Sequence, residues 1–255
     1  MDAGAPMNPY EAPKAELDSL LGPSMPANLV NAVEGRYQFT VGEVMDEAWR
    51  LVKGMKASFW AAAALIGLIC LVVSAIGGFV ITIVVGEAPN AVAQQAMNSG
   101  FNVLLAPLLA GLEMMCVRRA LGLPISFATA FSYFPKTGSV LAGAFLVTLL
   151  SWLGMLALLI PGIYLIVGYD LVVKLICDQN LSPWAAMETS RKAIGHRWWS
   201  VFGLGLLVAL LTSLSALGLL IPLIWTVPWS MMTGAVLYRR IFYAQTPTVD
   251  DVLRS

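Results

Sequence analysis

One stretch constrains this chain more than any other: the 28 residues 59–86 contain no Asp, Glu, Lys, Arg or His. A helix crossing a bilayer needs roughly 20 mostly apolar residues, within about 17 to 25. This run is therefore long enough to cross with tilt, or with a break at Gly77-Gly78. Five further stretches qualify: 101–117, which holds Glu113 and a kink candidate at Pro107, then 139–160, 162–177, 201–221 and 223–238. The last four are separated only by Pro161-Gly162 and by Pro222, a spacing that predicts two tight hairpins. A single kinked helix in place of each pair would run to about 38 residues and far exceed the bilayer. The expected fold is an all-α polytopic membrane helix bundle, six transmembrane helices as three hairpins with cytoplasmic amphipathic helices.

Composition closes off the alternatives. The chain is 58% hydrophobic and 12% charged, where soluble domains carry about 25% charged residues. So few charges cannot coat a water-facing surface, which argues against a soluble enzyme, a secreted domain or a disordered chain. Net charge is zero and the basic residues form no run, so no nucleic-acid partner is expected. Cys70, Cys116 and Cys177 show no Cys-x-x-Cys spacing and read as reduced thiols serving as small hydrophobes.

Residues 1–38 are polar and broken by Pro6, Pro9, Pro13, Pro23 and Pro26, which predicts a disordered tail. A charged start followed at once by an apolar run is missing, so the tail is expected in the cytoplasm without a signal peptide. Residues 39–245 form the expected membrane domain and 246–255 a second cytoplasmic tail. Lys and Arg in short loops stay on the cytoplasmic side. With six spans, all 15 basic residues fall on one side, and the segment 87–100 and both proline turns carry none. Both termini are then inside.

Before the first span stands a full helix start. Thr40 can cap, Glu43 can complete a capping box, and Phe39 can staple onto Val44. Val41, Val44, Met45, Ala48, Val52 and Met55 share one face, with Glu43, Asp46, Glu47, Arg50 and Lys53 on the remainder and Asp46 and Arg50 at i, i+4. Similar starts recur at Ile125-Ser126-Phe127 and Leu181-Ser182-Pro183, each followed by basic residues and a hairpin. A threefold repeat of interfacial helix plus hairpin accounts for this pattern. So does the shared need of any helix that enters a membrane from the cytoplasm.

The run Leu159-Ile160-Pro161-Gly162-Ile163-Tyr164-Leu165, with Asp178, Ala186, Glu188, Ser190-Arg191-Lys192 and Trp198-Trp199, resembles bacterial multi-spanning inner-membrane proteins of unassigned biochemical activity. These are similar to the membrane region attached to some glycerophosphodiester phosphodiesterases. Asn8-Pro9-Tyr10-Glu11-Ala12-Pro13 resembles the tails of many bacterial inner-membrane proteins. The resemblance covers roughly residues 39–245. It implies a six-helix bundle in the bacterial inner membrane and brings no catalytic residue with it.

Ionisable groups within spans are costly and point to function by default. Glu113 and Lys174 each fall about 18 Å from the outer ends of their spans, and Asp170 sits one turn from Lys174. A Glu113, Asp170 and Lys174 cluster would serve a proton or ion relay or a polar solute site, or would fix helix register as a charge-paired set. Arg191, Lys192, His196 and Arg197 could hold anionic phospholipid headgroups. A lone histidine cannot make a two-histidine zinc motif, and no metal or cofactor is expected. Gly203-Leu204-Gly205 lacks the third glycine of a dinucleotide fingerprint and reads as helix packing, as do Gly138 with Ala142 and Ser139 with Gly143. Hydrolase, P-loop and zinc-protease signatures are missing from the sequence. The expectation is a non-enzymatic protein that organises lipid or partner proteins of unknown identity. Its helices at 40–56, 126–136 and 182–195 would dock on the inner leaflet. A small-solute or ion transporter using the charged cluster is the alternative.

Overall fold

The computed structural model describes residues 28–85, 90–217 and 222–243. Among these residues the chain is all-helical, and five helical stretches are long and apolar enough to cross a membrane. They are Ala57–Val80, Ala93–Ala120, Phe127–Ala157, Leu159–Gln179 and Trp198–Leu217.

Part of the expected N-terminal tail is ordered. Asn28 caps a short helix α1 (Leu29–Val33) by accepting from Asn31 N, and the Asn28 amide donates to Phe242 O at 2.8 Å. Tyr37 and Phe39 are buried, so the tail's expected end at residue 38 is corrected. Apolar anchors at Ala32, Tyr37 and Phe39 outweigh the polar composition here. Residues 1–27 and the C-terminal tail 246–255 lie outside the described residues.

Helix α2 (Val41–Val52) starts as its sequence requires, with Thr40 Oγ1 accepting from Glu43 N at 3.3 Å. Asp46 and Arg50 pair at 3.4 Å. The Glu43 carboxylate does not close the expected capping box: it pairs with Arg240 at 2.8 Å. Gly54, at φ +93, turns the chain into α3 (Lys56–Val85). That helix is unbroken at Gly77-Gly78, because Gly77 is the seat of the Phe101 ring and not a hinge.

Helix α4 (Ala91–Ala120) begins ten residues before the expected span at 101–117. Asn90 caps it, and its polar residues satisfy themselves along the helix: Ser99 Oγ donates to Gln95 O and Asn102 Nδ2 to Asn98 O. It runs through Pro107. Two 3-10 turns (Phe127–Phe131 and Phe134–Lys136) replace the amphipathic helix expected at 126–136, with Ser126 and Thr129 forming the capping box at their start.

Helices α5 (Thr137–Ala157) and α6 (Leu159–Gly168) do form a hairpin, but its turn is the extended residue Leu158. Pro161 and Gly162 lie in the first turn of α6, where a missing N–H costs nothing. Gly162 lets the arms close: a Cβ on Gly154 would stand 3.1 Å from Gly162 Cα. The span expected at 162–177 is interrupted, since α6 ends at Gly168 and α7 (Val172–Gln179) starts only after the three residues 169–171. Left-handed Asn180 (φ 54) ends α7, and Ser182 caps α8 (Pro183–Gly195) by accepting from Ala185 N.

Helices α9 (Trp198–Leu217) and α10 (Leu223–Phe242) complete the described chain. The residues between them are outside the described set, apart from Pro222. Although α10 is as long as α9, its sequence is less apolar and ends in Arg239-Arg240, so it is not among the five crossing candidates. Burial explains the difference. Over half of α10, including Met232, Thr233 and Ala235 to Arg239, is surrounded by protein, so this helix need not be apolar towards lipid. Pro228 deprives the Ile224 carbonyl of its helical donor, and Trp60 Nε1 supplies one at 3.1 Å.

At Gly111 the carbonyl of Ala130 occupies the space a Cβ would need, whereas Gly203 faces open space. Gly111→Ala is therefore expected to cost about 1–3 kcal/mol through forced overpacking. Thermal unfolding in detergent should show a lowered midpoint for Gly111→Ala and an unchanged one for Gly203→Ala. Equal midpoints would contradict the packing described.

Candidate functional site: a charged seam and an apolar cavity

The amphipathic helix α2 lies along α10, and one of its carboxylates, that of Glu47, does not face water. Glu47 is buried and forms an ion pair with Arg239, which is also buried, while Arg240 reaches the second Glu47 oxygen at 2.9 Å. Arg239 Nη1 donates to Ala120 O at 2.8 Å and so caps α4. Arg119, at the end of α4, donates to Leu51 O at 3.4 Å and Lys53 O at 3.2 Å and so caps α2. Each arginine satisfies carbonyls that a neighbouring helix leaves open. Sequence reasoning missed this seam, because at helical spacing Glu47 falls on the charged side of α2.

A second cluster was also missed. The Asp178 carboxylate accepts from Tyr238 at 2.6 Å, Tyr243 at 2.7 Å and Gln179 Nε2 at 2.6 Å. Burial, with the Asp178 charge next, raises the Tyr243 phenol above its ordinary value. Lys136 donates to Cys177 O beside it. Basic residues from 118–119, 136 and 239–240 thus converge at one end of the bundle, with the α2 end at 51–53.

Of the three expected intramembrane charges, two meet. Lys174, buried, stands 3.2 Å from Glu113. The contact lacks hydrogen-bond geometry, leaving Glu113 Oε2 without a hydrogen-bond partner. Lys174 Nζ instead donates to the backbone carbonyl of Asp170 at 3.3 Å. The Asp170 side chain is exposed and makes no ion pair among the described residues. It lies in the break between α6 and α7, which Ser190 of α8 bridges. The Ser190 hydroxyl donates to Gly168 O at 2.7 Å and accepts from Leu171 N at 3.3 Å, serving one orphan group on each side of the gap.

Asp170 faces a cavity of about 410 Å³ between α6, α9 and α10. Its walls are apolar, with Ile163, Ile166, Phe202, Leu206 and Leu237 among them. Gly205, expected to pack helices, instead leaves room in this wall, and Gly203 likewise meets nothing within 4 Å. Gly143 does pack closely, on Ile176 Cδ1.

The four headgroup candidates divide. Lys192 pairs with Glu188 at 2.7 Å in a half-exposed contact that holds the Glu188 carboxyl below its ordinary value. Arg191 lies against Gly168. His196 Nε2 meets Val33 O at 2.8 Å, and Arg197 sits over the Phe39 ring, so both hold α1 and the segment after it.

No protein family, curated protein or solved structure was found to match the chain. The fold defines the class: an all-helical protein with five helices able to cross a membrane among its described residues.

Tyr37 lies near Arg197 and donates to Ala193 O at 2.5 Å; burial pushes its phenol up to about 12, against the Arg197 charge. The unfolded phenol loses its proton near pH 10 while the folded one holds it, so this contribution is full below pH 10 and is lost as pH rises to about 12. Thermal melts across pH 9 to about 12 should show a shallower alkaline decline for Tyr37→Phe than for the unaltered chain. Parallel declines would remove Tyr37 from the pH response.

Proposed function

We propose that the chain is a six-span protein of the bacterial inner membrane, with both termini cytoplasmic, that organises lipid without catalysing a reaction. On this reading α10 is the sixth span, its modest apolarity excused by burial, and α9 and α10 form the third hairpin. The residues that sequence reasoning offered for chemistry are largely consumed by structure: His196 on a carbonyl, Arg197 on a ring, Lys174 on Glu113 and a carbonyl. The observation that carries the reading is the cavity between α6, α9 and α10, whose apolar walls suit lipid better than a water-soluble substrate. Arg191 and Lys192 would meet anionic headgroups at the basic end. Trp184 and Trp199, both largely exposed, would anchor that end at the interface. Likeness to the membrane regions attached to glycerophosphodiester phosphodiesterases belongs to the same reading.

The interrupted α6–α7 helix beside Lys174 and Glu113 favours a second reading, a small-solute or ion transporter, since transporters place sites at broken helices. One preparation separates the two. Proteoliposomes are expected to show a motionally restricted population of spin-labelled phospholipid and no added proton or solute leak. A leak that Glu113→Gln abolishes would replace lipid organisation with transport.

A further inference from the structure

The cavity's chemistry is uneven in a way that selects a ligand. Two hydroxyls reach its wall, but both are already used: Ser230 Oγ donates to Val227 O at 2.8 Å and Thr233 Oγ1 to Trp229 O at 2.9 Å. The one charged residue among the described lining residues is Asp170. Its nearest cation is shared: the Lys174 ammonium stands 3.2 Å from Glu113, donates to the Asp170 backbone carbonyl and feels the Asp170 charge as well, so one ammonium faces two carboxylates. Phe202 adds an aromatic face, and aromatic faces attract organic cations. The excess negative charge beside apolar walls is costly, and a ligand cation relieves that cost.

Access is from the bilayer, since Ile166 and Leu206 in the wall are more than half exposed. Lys174 Nζ, bonded to the Asp170 carbonyl, would stand 3.6 Å from a Cβ on Gly234. Gly234 is about 8 Å along α10 from Arg239, which places the carboxylate just inside the headgroup layer under the proposed orientation.

We propose that this cavity is a binding site for a phospholipid with a free ammonium headgroup, the ammonium on Asp170 and part of an acyl chain against the walls of α9 and α10. The proposal rests on the lipid-organising reading and names the lipid class.

Gly205→Leu fills the cavity from a position where a Cβ meets nothing within 4 Å, and Asp170→Asn removes the charge while keeping the shape. Protein released from discs of equal phosphatidylethanolamine and phosphatidylglycerol should carry, in native mass spectrometry, one retained phosphatidylethanolamine. Each variant should lower its occupancy about tenfold, the loss expected for one charge-assisted contact or the seat itself. On the unaltered protein, dodecylammonium should displace the lipid and dodecyl sulfate should not, a comparison that needs no variant to fold. Retained phosphatidylethanolamine indifferent to both variants and to dodecylammonium would overturn the proposal. Phosphatidylglycerol lost in Gly205→Leu alone would overturn the ammonium assignment and leave lipid organisation standing. Retention of neither lipid would sink both.

Discussion

Glu47 and Arg239 place opposite charges in contact where α2, α4 and α10 meet, and the rest of the bundle is arranged around that contact. Taking both groups out of water is expensive, and only close approach together with further hydrogen bonds makes up for it. Both conditions are met here. Arg240 shares the carboxylate, and the remaining Arg239 donor closes the end of α4. Because the pair tolerates little displacement, it fixes how far α2 slides along α10. That in turn sets Trp229 Nε1 on Met45 O and Trp60 on the carbonyl that Pro228 leaves bare.

From this seam the polar work is passed outward by helix ends. Arg119 closes α2, Arg239 closes α4, Lys136 reaches the Cys177 carbonyl, and Ser190 bridges the gap between α6 and α7. In a low-dielectric setting each open carbonyl needs a donor from protein, and long basic side chains reach from one helix to the next. The interruption at 169–171 leaves Asp170 exposed in the cavity wall, with its backbone carbonyl accepting from Lys174.

Much of the fold was legible from the apolar runs. Length and missing charge identify α3, α5 and α9 directly, and Thr40, Ser126 and Ser182 mark starts that the structure keeps. The hairpin at Pro161-Gly162 was legible to within a few residues, because proline marks the first turn of the second arm and not the bend itself. Helix α4 extends further than expected because its Asn, Gln and Ser side chains bond back onto their own helix, a local economy that hydropathy does not register. The 3-10 turns at 127–136 were read as an α-helix, since a cap and aromatics do not distinguish the two. Of the charged residues, Glu113 and Lys174 were found by depth along their spans. Glu47, Arg239 and Asp178 were not, because nothing in helical spacing says that another helix will cover a charged face. Asp170 was placed one turn from Lys174, yet the helix break on which it sits carries no proline or glycine pair to announce it.

The buried charges couple α2 to α10, and a double-mutant cycle on Glu47→Gln and Arg239→Gln, read by reversible unfolding in mixed detergent, measures that coupling. Glu47→Gln should cost about 3–5 kcal/mol, because it strands the buried Arg239, and Arg239→Gln somewhat less, because Arg240 still reaches the Glu47 carboxylate. The double change should cost well below the sum of the two, a strong coupling between the sites. Costs that simply add would mean that the two residues act independently and that their contact does not hold α2 on α10.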